Sequence, residues 1–368
     1  MYLNKNLKVF ESVEDLLAEN GGKDLQAKIL FNRDVSLQIF DNNKLLGEID
    51  DIQPLYLFPA TILDYVDAWL EVKDKKRLLP TKISICDFEE FDFKSCFEVI
   101  DTSKLKHIEL IVDSSAEKYF EKIEQVVEFA NKNNVKVSLL ANGFEKFSED
   151  FLKKITDDIC YFKIMLSNIL HKIEYSEFLK KLNVICKNKD AVVHIKAYLN
   201  EEQSEFYKKA ICDFENLGVQ IFQVSKELIA IGAQNVSVSQ IVQKLIRELE
   251  KTYDGKNGIK FLSVKDISTL FYPRFELDER NSRNCYACVL KPYIYGNKIL
   301  PCKVQKVIEN KDDWKVFDTE RKETKNIVKY GRDCDDCASM FENDILGKIE
   351  NLVEGQDVSN LTFAIKVR

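Results

Sequence analysis

Ten cysteines punctuate the 368-residue chain, and five of them lie near its C-terminal end in a pattern suited to metal ligation. Cys285 and Cys288 form one Cys-x2-Cys pair, Cys334 and Cys337 form a second, and Cys302 stands between them. Such a pair sets two thiolates a turn apart, close enough to share one centre. Two pairs and a fifth cysteine then offer a full ligand set from three chain segments. The plainer alternative is five unpaired core thiols, but each pair sits in polar, turn-rich sequence. Four thiolates suit Zn2+ or a [4Fe–4S] cluster, and spacing alone leaves the metal open. The simplest set is Cys285, Cys302, Cys334 and Cys337, with Cys288 a fourth or alternate ligand. Asp333, Asp335 and Asp336 beside the last pair would tend to lower the potential of a bound cluster.

Other chemistry is sparse. His107, His171 and His194 are scattered over three segments, and His194, on an apolar strand, suits a hydrogen-bonded core histidine. The sequence carries no Gly-rich phosphate loop, no nucleophile elbow and no His-Glu-x-x-His. Cys86 fits a small buried side chain, and Cys160, Cys186 and Cys212 belong in or beside apolar periodic segments, as core positions. A net charge of −7 argues against a nucleic-acid groove, which needs a basic face. No apolar run approaches the roughly 18 residues of a spanning helix, and the N-terminus has no signal-peptide stretch. A cytoplasmic protein is expected, where thiols stay reduced and clustered cysteines bind metal rather than pair.

The elements that must position these cysteines divide the chain in three. Residues 1–80 form a small β/α module. Strands are expected at Leu25–Phe31, Val35–Phe40 and Leu45–Ile49, with a turn at Asp41–Lys44 and a helix after Pro59. This module caps the next domain or offers a sheet edge to a peptide. From Thr81 strand and helix alternate. Strands are expected at Lys82–Cys86, His107–Val112, Val135–Leu140, Tyr161–Leu166, Val192–Leu199, Val219–Val224 and, after a glycine turn, Lys260–Val264. Helices fall between them, with a long one at Val238–Tyr253. Residues 81–270 therefore make an α/β domain, a partial (β/α)6 TIM-like barrel whose chemistry belongs at the C-terminal strand ends. Residues 271–368 form the cysteine domain, poor enough in apolar residues that a metal would decide whether it folds.

This succession resembles the radical SAM enzymes that carry a C-terminal SPASM or twitch domain, over about 250 residues. Val135–Gly143, ending Ala141-Asn142-Gly143, is similar to the strand that ends Thr-Asn-Gly in that family. Tyr161–Ser167 is similar to the next. The spacing Cys285-x2-Cys288-x13-Cys302 matches the auxiliary-cluster cysteines of the GTP-cyclising enzyme of molybdenum-cofactor synthesis. Pro292–Cys302 resembles the SPASM strand–turn–strand that delivers a cluster ligand, with Gly296-Asn297 as its turn. Cys334 and Cys337 resemble the later SPASM pair, and the two cysteines that usually follow are missing.

Two departures bear on activity. Where the family places Cys-x3-Cys-x2-Cys after the first barrel strand, this chain has only Cys86 and Cys96. Where Gly-Gly-Glu-Pro should hold S-adenosylmethionine, it has Asp113-Ser114-Ser115-Ala116. The resemblance then implies a ribosomal-peptide maturation protein that has lost SAM cleavage, keeps an auxiliary [4Fe–4S] cluster, and binds a precursor peptide or a partner modifying enzyme. Two alternatives stand beside it: a SAM-independent enzyme using the cluster as Lewis acid or electron carrier, and a zinc-stapled scaffold.

Overall fold

The computed structural model describes residues 2–3, 8–10, 12–18, 23–24, 35–50, 62–72, 79–98, 100–166, 172–199, 204–226, 260–263, 284–285, 290–296, 298–300, 317–318, 323–324, 328–329 and 340–367. At the N-terminus stand strands β1 (Tyr2–Leu3), β2 (Lys8–Phe10), β3 (Lys23–Asp24), β4 (Val35–Asp41) and β5 (Lys44–Ile49). Helix α1 (Val13–Leu17) is capped by the Ser12 hydroxyl, and α2 (Ile62–Val72) follows Pro59 as expected. The β4–β5 turn holds Asn42 at φ 46° and Asn43 at φ 66°. Two successive left-handed residues define the two-residue hairpin that matches strand twist, and asparagine is the side chain that tolerates it best. The expected strand Leu25–Phe31 lies outside the described residues.

Seven parallel strands follow in unbroken order: β6 (Lys82–Cys86), β7 (His107–Val112), β8 (Lys136–Asn142), β9 (Tyr161–Leu166), β10 (Val192–Leu199), β11 (Ile221–Lys226) and β12 (Lys260–Ser263). Between them run α3 (Phe93–Phe97), α4 (Phe120–Lys132), α5 (Glu149–Ile155), α6 (Lys172–Ile185) and α7 (Ser204–Leu217). The short α3 has no counterpart in the sequence reading. The helix expected from Ala116 instead begins as a 3-10 turn at Ser114–Tyr119, and the expected helix Val238–Tyr253 lies outside the described residues. Helix starts follow local chemistry: the side chains of Asp92 and Ser148 each accept the backbone N–H of the third residue of the helix they open.

One apolar core joins the sheet to its helices. Ile83, Ile85, Ile108, Leu110, Val137, Leu139, Phe162, Ile164, Val193 and Ile195 face Ile123 and Val127 of α4, Leu152 and Ile155 of α5, Phe178 and Leu182 of α6, and Phe214 of α7. The described crossover helices, α3 to α7, all pack on this one side. Phe178 is fully buried, edge-on to Phe144 at 5.5 Å and tilted against Phe214 at 6.1 Å.

The remaining elements are β13 (Asn284–Cys285), β14 (Tyr293–Tyr295), β15 (Lys298–Leu300), β16 (Phe317–Asp318), β17 (Glu323–Thr324), β18 (Val328–Lys329), α8 (Met340–Leu352) and β19 (Leu361–Val367). Two of them pair with strands far back in the chain. β14 adds to β6 in parallel, with Tyr293 opposite Ser84 and Tyr295 opposite Cys86, and β15 returns antiparallel beside it. β19 lies between β1 and β4, so the N-terminal sheet has the order β3-β2-β1-β19-β4-β5 and contains the last strand of the chain. Helix α8 packs on β5 and α2. The segments 293–300 and 361–367, placed by sequence in the cysteine domain, thus pair with the other two spans.

Emptying the aromatic centre should be costly: Phe178→Ala is expected to lower stability by about 3–5 kcal/mol, read from urea unfolding midpoints at constant m-value.

Candidate functional site

The sheet's other face carries the chemistry. Along β6 the residues turned away from the helices are Lys82, Ser84 and Cys86, since Ile83 and Ile85 belong to the helix-side core. The same alternation gives His107 and Glu109 on β7, Ser138 on β8, Tyr161 and Lys163 on β9, and His194 and Lys196 on β10. A parallel sheet covered on both faces is normally apolar on both. Here one face is polar, and much of it is buried: Ser84, His107, Ser138 and His194 are all less than a tenth exposed.

These side chains bond to one another across strands. Lys82 Nζ donates to Glu109 Oε1 at 3.0 Å, and the Ser84 hydroxyl donates to Glu109 Oε2 at 2.9 Å. His107 Nε2 lies 2.6 Å from the Ser138 hydroxyl, and the Tyr161 hydroxyl is hydrogen-bonded to His194 Nδ1. The Cys86 thiol donates to the Tyr293 hydroxyl at 2.7 Å, which ties β6 to β14 through side chains as well as backbone. Burial, and secondarily the Glu109 charge, pushes the Tyr161 phenol well above its ordinary range. Burial and then the Cys86 hydrogen bond do the same to Tyr293. Burial also pulls the Lys196 ammonium below its ordinary value. Both tyrosines are therefore neutral hydrogen-bonding groups at neutral pH, and Lys196 is a cation held at a cost in desolvation.

The C-terminal strand ends close as tight turns. Gly143 ends β8 at φ 65°, in keeping with the glycine turn expected there. Asp113 ends β7, and its carboxylate accepts the Ser115 backbone N–H and hydroxyl to cap the 3-10 turn. At the end of β6, Asp87 takes φ 60°, and Gly296 after β14 donates its N–H to the Cys86 carbonyl at 3.1 Å. Gly296 has φ 56°, and a Cβ there would stand 2.8 Å from Glu90 Cβ. Both the conformation and the close approach require glycine.

The residues singled out by sequence are distributed unevenly. Cys285 lies in β13, whose partner β18 sets Val328 opposite it, six residues ahead of Cys334. Cys288, Cys302, Cys334, Cys337 and His171 lie outside the described residues. Among the described residues no group of three or more His, Cys, Asp or Glu side chains is arranged to hold a metal ion. Cys86 and Cys96, the cysteines nearest the family's cluster position, do not converge. Cys96 packs in the helix-side core with Phe88 and Phe91, while Cys86 turns to the polar face. Burial raises the Cys96 thiol to about 11. A cluster held by three thiolates on this loop does not fit these residues.

Two readings of single residues need correcting. Cys212 is exposed, because α7 turns Ala210 and Phe214 inward instead. Cys160 is half-buried at the start of β9, with its thiol donating to the Val137 carbonyl. The polar face itself went unseen, although the signal was present as strict alternation in Lys-Ile-Ser-Ile-Cys, His-Ile-Glu-Leu and Tyr-Phe-Lys-Ile. A cavity of about 360 Å³ lies at the opposite, N-terminal strand ends, lined by Asn131, Lys136, Asp158 and Asn188 among others. In sheets of this kind that end serves stability rather than chemistry.

No protein-family model matches the sequence, and no curated protein matches it. Among solved structures, Streptococcus suis SuiB aligns over 71% of this chain and 68% of its own, with TM-score 0.46 and 12% identity. SuiB bound to precursor peptide SuiA aligns over 67% and 65%, again with TM-score 0.46 and 12% identity. Native anSMEcpe with bound AdoMet and Cp18Cys peptide aligns over 72% of this chain and 87% of its own, with TM-score 0.42 and 13% identity.

Gly296→Ala is expected to destabilise the protein by at least about 1 kcal/mol through φ strain and the Glu90 contact. In a double-mutant cycle Glu90→Gly should recover part of that loss, and strict additivity would refute the contact. Glu109→Gln leaves Lys82 facing a neutral amide and should cost about 3 kcal/mol in chemical denaturation.

Proposed function

We propose that this chain serves the maturation of a peptide as a radical-SAM-like protein that does not cleave S-adenosylmethionine. It holds peptide against the polar face of the parallel sheet and carries a [4Fe–4S] cluster on its tail cysteines. The observation behind the first part is the loop after β6. Its aromatic residues Phe88 and Phe91 fill the helix-side core, and its two flanking cysteines face opposite sides of the sheet. The loop has neither the thiolates nor the convergence that reductive cleavage of a sulfonium requires. The polar face supports the second part. Its hydrogen-bonding groups run from the first residues of the strands (Lys82, His107, Tyr161) to their middle, and Cys86, Lys163 and Lys196 carry polar groups on toward the C-terminal ends, where sheets of this type bind their ligands.

The cluster assignment rests on the two Cys-x2-Cys pairs and Cys302. The pairing of β13 with β18 favours it by bringing the chain around Cys285 beside the segment that leads to Cys334. When bound there, the cluster would supply an electron reservoir or a Lewis-acidic iron, and the polar face would bind and orient the peptide. A second reading, an enzyme acting on the same peptide without SAM, is favoured by the buried Tyr161–His194 and Cys86–Tyr293 contacts.

Anaerobically purified protein is expected to hold about four iron and four sulfide per chain. Serine at Cys285, Cys302, Cys334 or Cys337 should lower that content. Incubated with SAM and dithionite, the protein should release no 5′-deoxyadenosine. Release of that product would overturn the reading, and a zinc-loaded, colourless protein would replace the cluster by a structural metal.

A further inference from the structure

We infer that the cavity at the N-terminal ends of β8 and β9 binds an organic cation, a primary ammonium group carried on an aliphatic stem. The inference assigns binding and no reaction to this end of the sheet, and it stands apart from the peptide reading above.

The cavity is held in shape by the protein itself. Its volume of about 360 Å³ falls within the roughly 300–1,000 Å³ of small-ligand pockets. Three segments wall it: the end of α4 with the start of β8, the 3-10 turn Thr156–Asp158 that leads into β9, and the turn after α6. Two side-chain bonds fasten these segments to one another. Asn131 Nδ2 donates to Asp158 Oδ1, and Asn188 Nδ2 donates to the Thr156 carbonyl, each at 2.8 Å. The inner wall is apolar, with Val135, Val137 and Ile159 all buried.

Two independent features give it a negative potential. The first is the side chains at its exposed rim, where the carboxylates of Asp157, Asp158 and Asp190 stand against one ammonium, Lys136. The nearby Lys132, Lys187 and Lys189 are exposed and do not line it. Among the described residues no cation pairs with any of the three aspartates. The second is the backbone. Helices α4 and α6, 13 and 14 residues long, both end at this cavity. The last carbonyls of a helix carry partial negative charge and lack partners within the helix.

The arrangement also selects the kind of cation. Among the described residues the acidic groups are not clustered tightly enough to share one metal ion. Spaced carboxylates above an apolar wall instead suit an ammonium whose methylene stem lies on that wall, in the way lysine stems cover apolar surface.

The test titrates the full chain calorimetrically at matched ionic strength. The probes are putrescine with 1,4-butanediol as its neutral control, spermidine, acetyl-Ala-Ala-Lys-Ala-Ala-amide with its Gln counterpart, and magnesium chloride. At least one ammonium probe is expected to bind about tenfold or more tightly than its neutral control. Asp157→Asn with Asp190→Asn should weaken that probe about fivefold or more, and Lys136→Gln should tighten it about twofold. Glu124→Gln with Glu354→Gln removes the same formal charge from exposed positions outside the cavity, and should change the affinity by less than about twofold. All of these positions are exposed, and the Asn131–Asp158 and Asn188–Thr156 bonds are left intact.

Tighter binding of the lysine peptide than of putrescine and spermidine would assign the ammonium to a side chain of a bound chain. The reverse order would assign it to a free polyamine, and either result supports the site. Equal binding of charged and neutral probes would overturn it. So would equal losses in the two double variants, which would trace the preference to the general surface charge, or weaker binding by Lys136→Gln. Magnesium bound more tightly than every ammonium probe would overturn the assignment to an organic cation.

Discussion

The order of the strands is the constraint on which the rest depends. From β6 to β12 each strand is laid beside the one before it, always stepping in the same direction. A parallel crossover is right-handed in nearly every known case, so six steps in one direction put the described connecting helices on the same face. Reversing direction once would have moved helices to the other side. The chain does not reverse, and one core joins α4, α5, α6 and α7 to one set of alternate residues. The opposite face is left to other groups, and in this protein they are ionisable.

That asymmetry explains the hydrogen bonding. Stability alone does not call for an interior ion pair such as Lys82–Glu109. Desolvating both groups costs about as much as their attraction returns, and apolar residues of the same size often serve better. The neighbouring pairs His107–Ser138, Tyr161–His194 and Cys86–Tyr293 follow the same logic, because each polar atom placed there must find a partner or carry its desolvation penalty. A face built this way is not what packing alone selects. Packing alone would have chosen valine and isoleucine, as it did one residue away on every strand.

The legible part of the fold was the part governed by short range. Strand positions from β6 to β10 follow from apolar periodicity, and the left-handed backbone at Asn42, Asn43 and Gly296 falls on residues that accept it. Helix starts at Asp92 and Ser148 also rest on local capping chemistry, although the sequence reading did not place them. Long-range pairing was not legible. β14 spans three residues, and β19 joins a sheet whose first strand lies more than 350 residues earlier. No local signal encodes which edge such a strand will choose. The polar face has a different signal: Lys-Ile-Ser-Ile-Cys alternates strictly, whereas parallel strands covered on both faces are usually apolar throughout.

The docking of β14 on β6 ties the hairpin that precedes Cys302 to the edge of the sheet. Tyr293 reaches the Cys86 thiol across the strand pair, and Gly296 closes over Glu90 at the turn of the hairpin that leads to Cys302. Cys302 follows β15 by two residues, so the backbone that delivers this tail cysteine is hydrogen-bonded, strand by strand, to the sheet carrying Glu109 and Lys196. A centre bound at Cys302 would be anchored to the edge of the sheet rather than hung on a free linker.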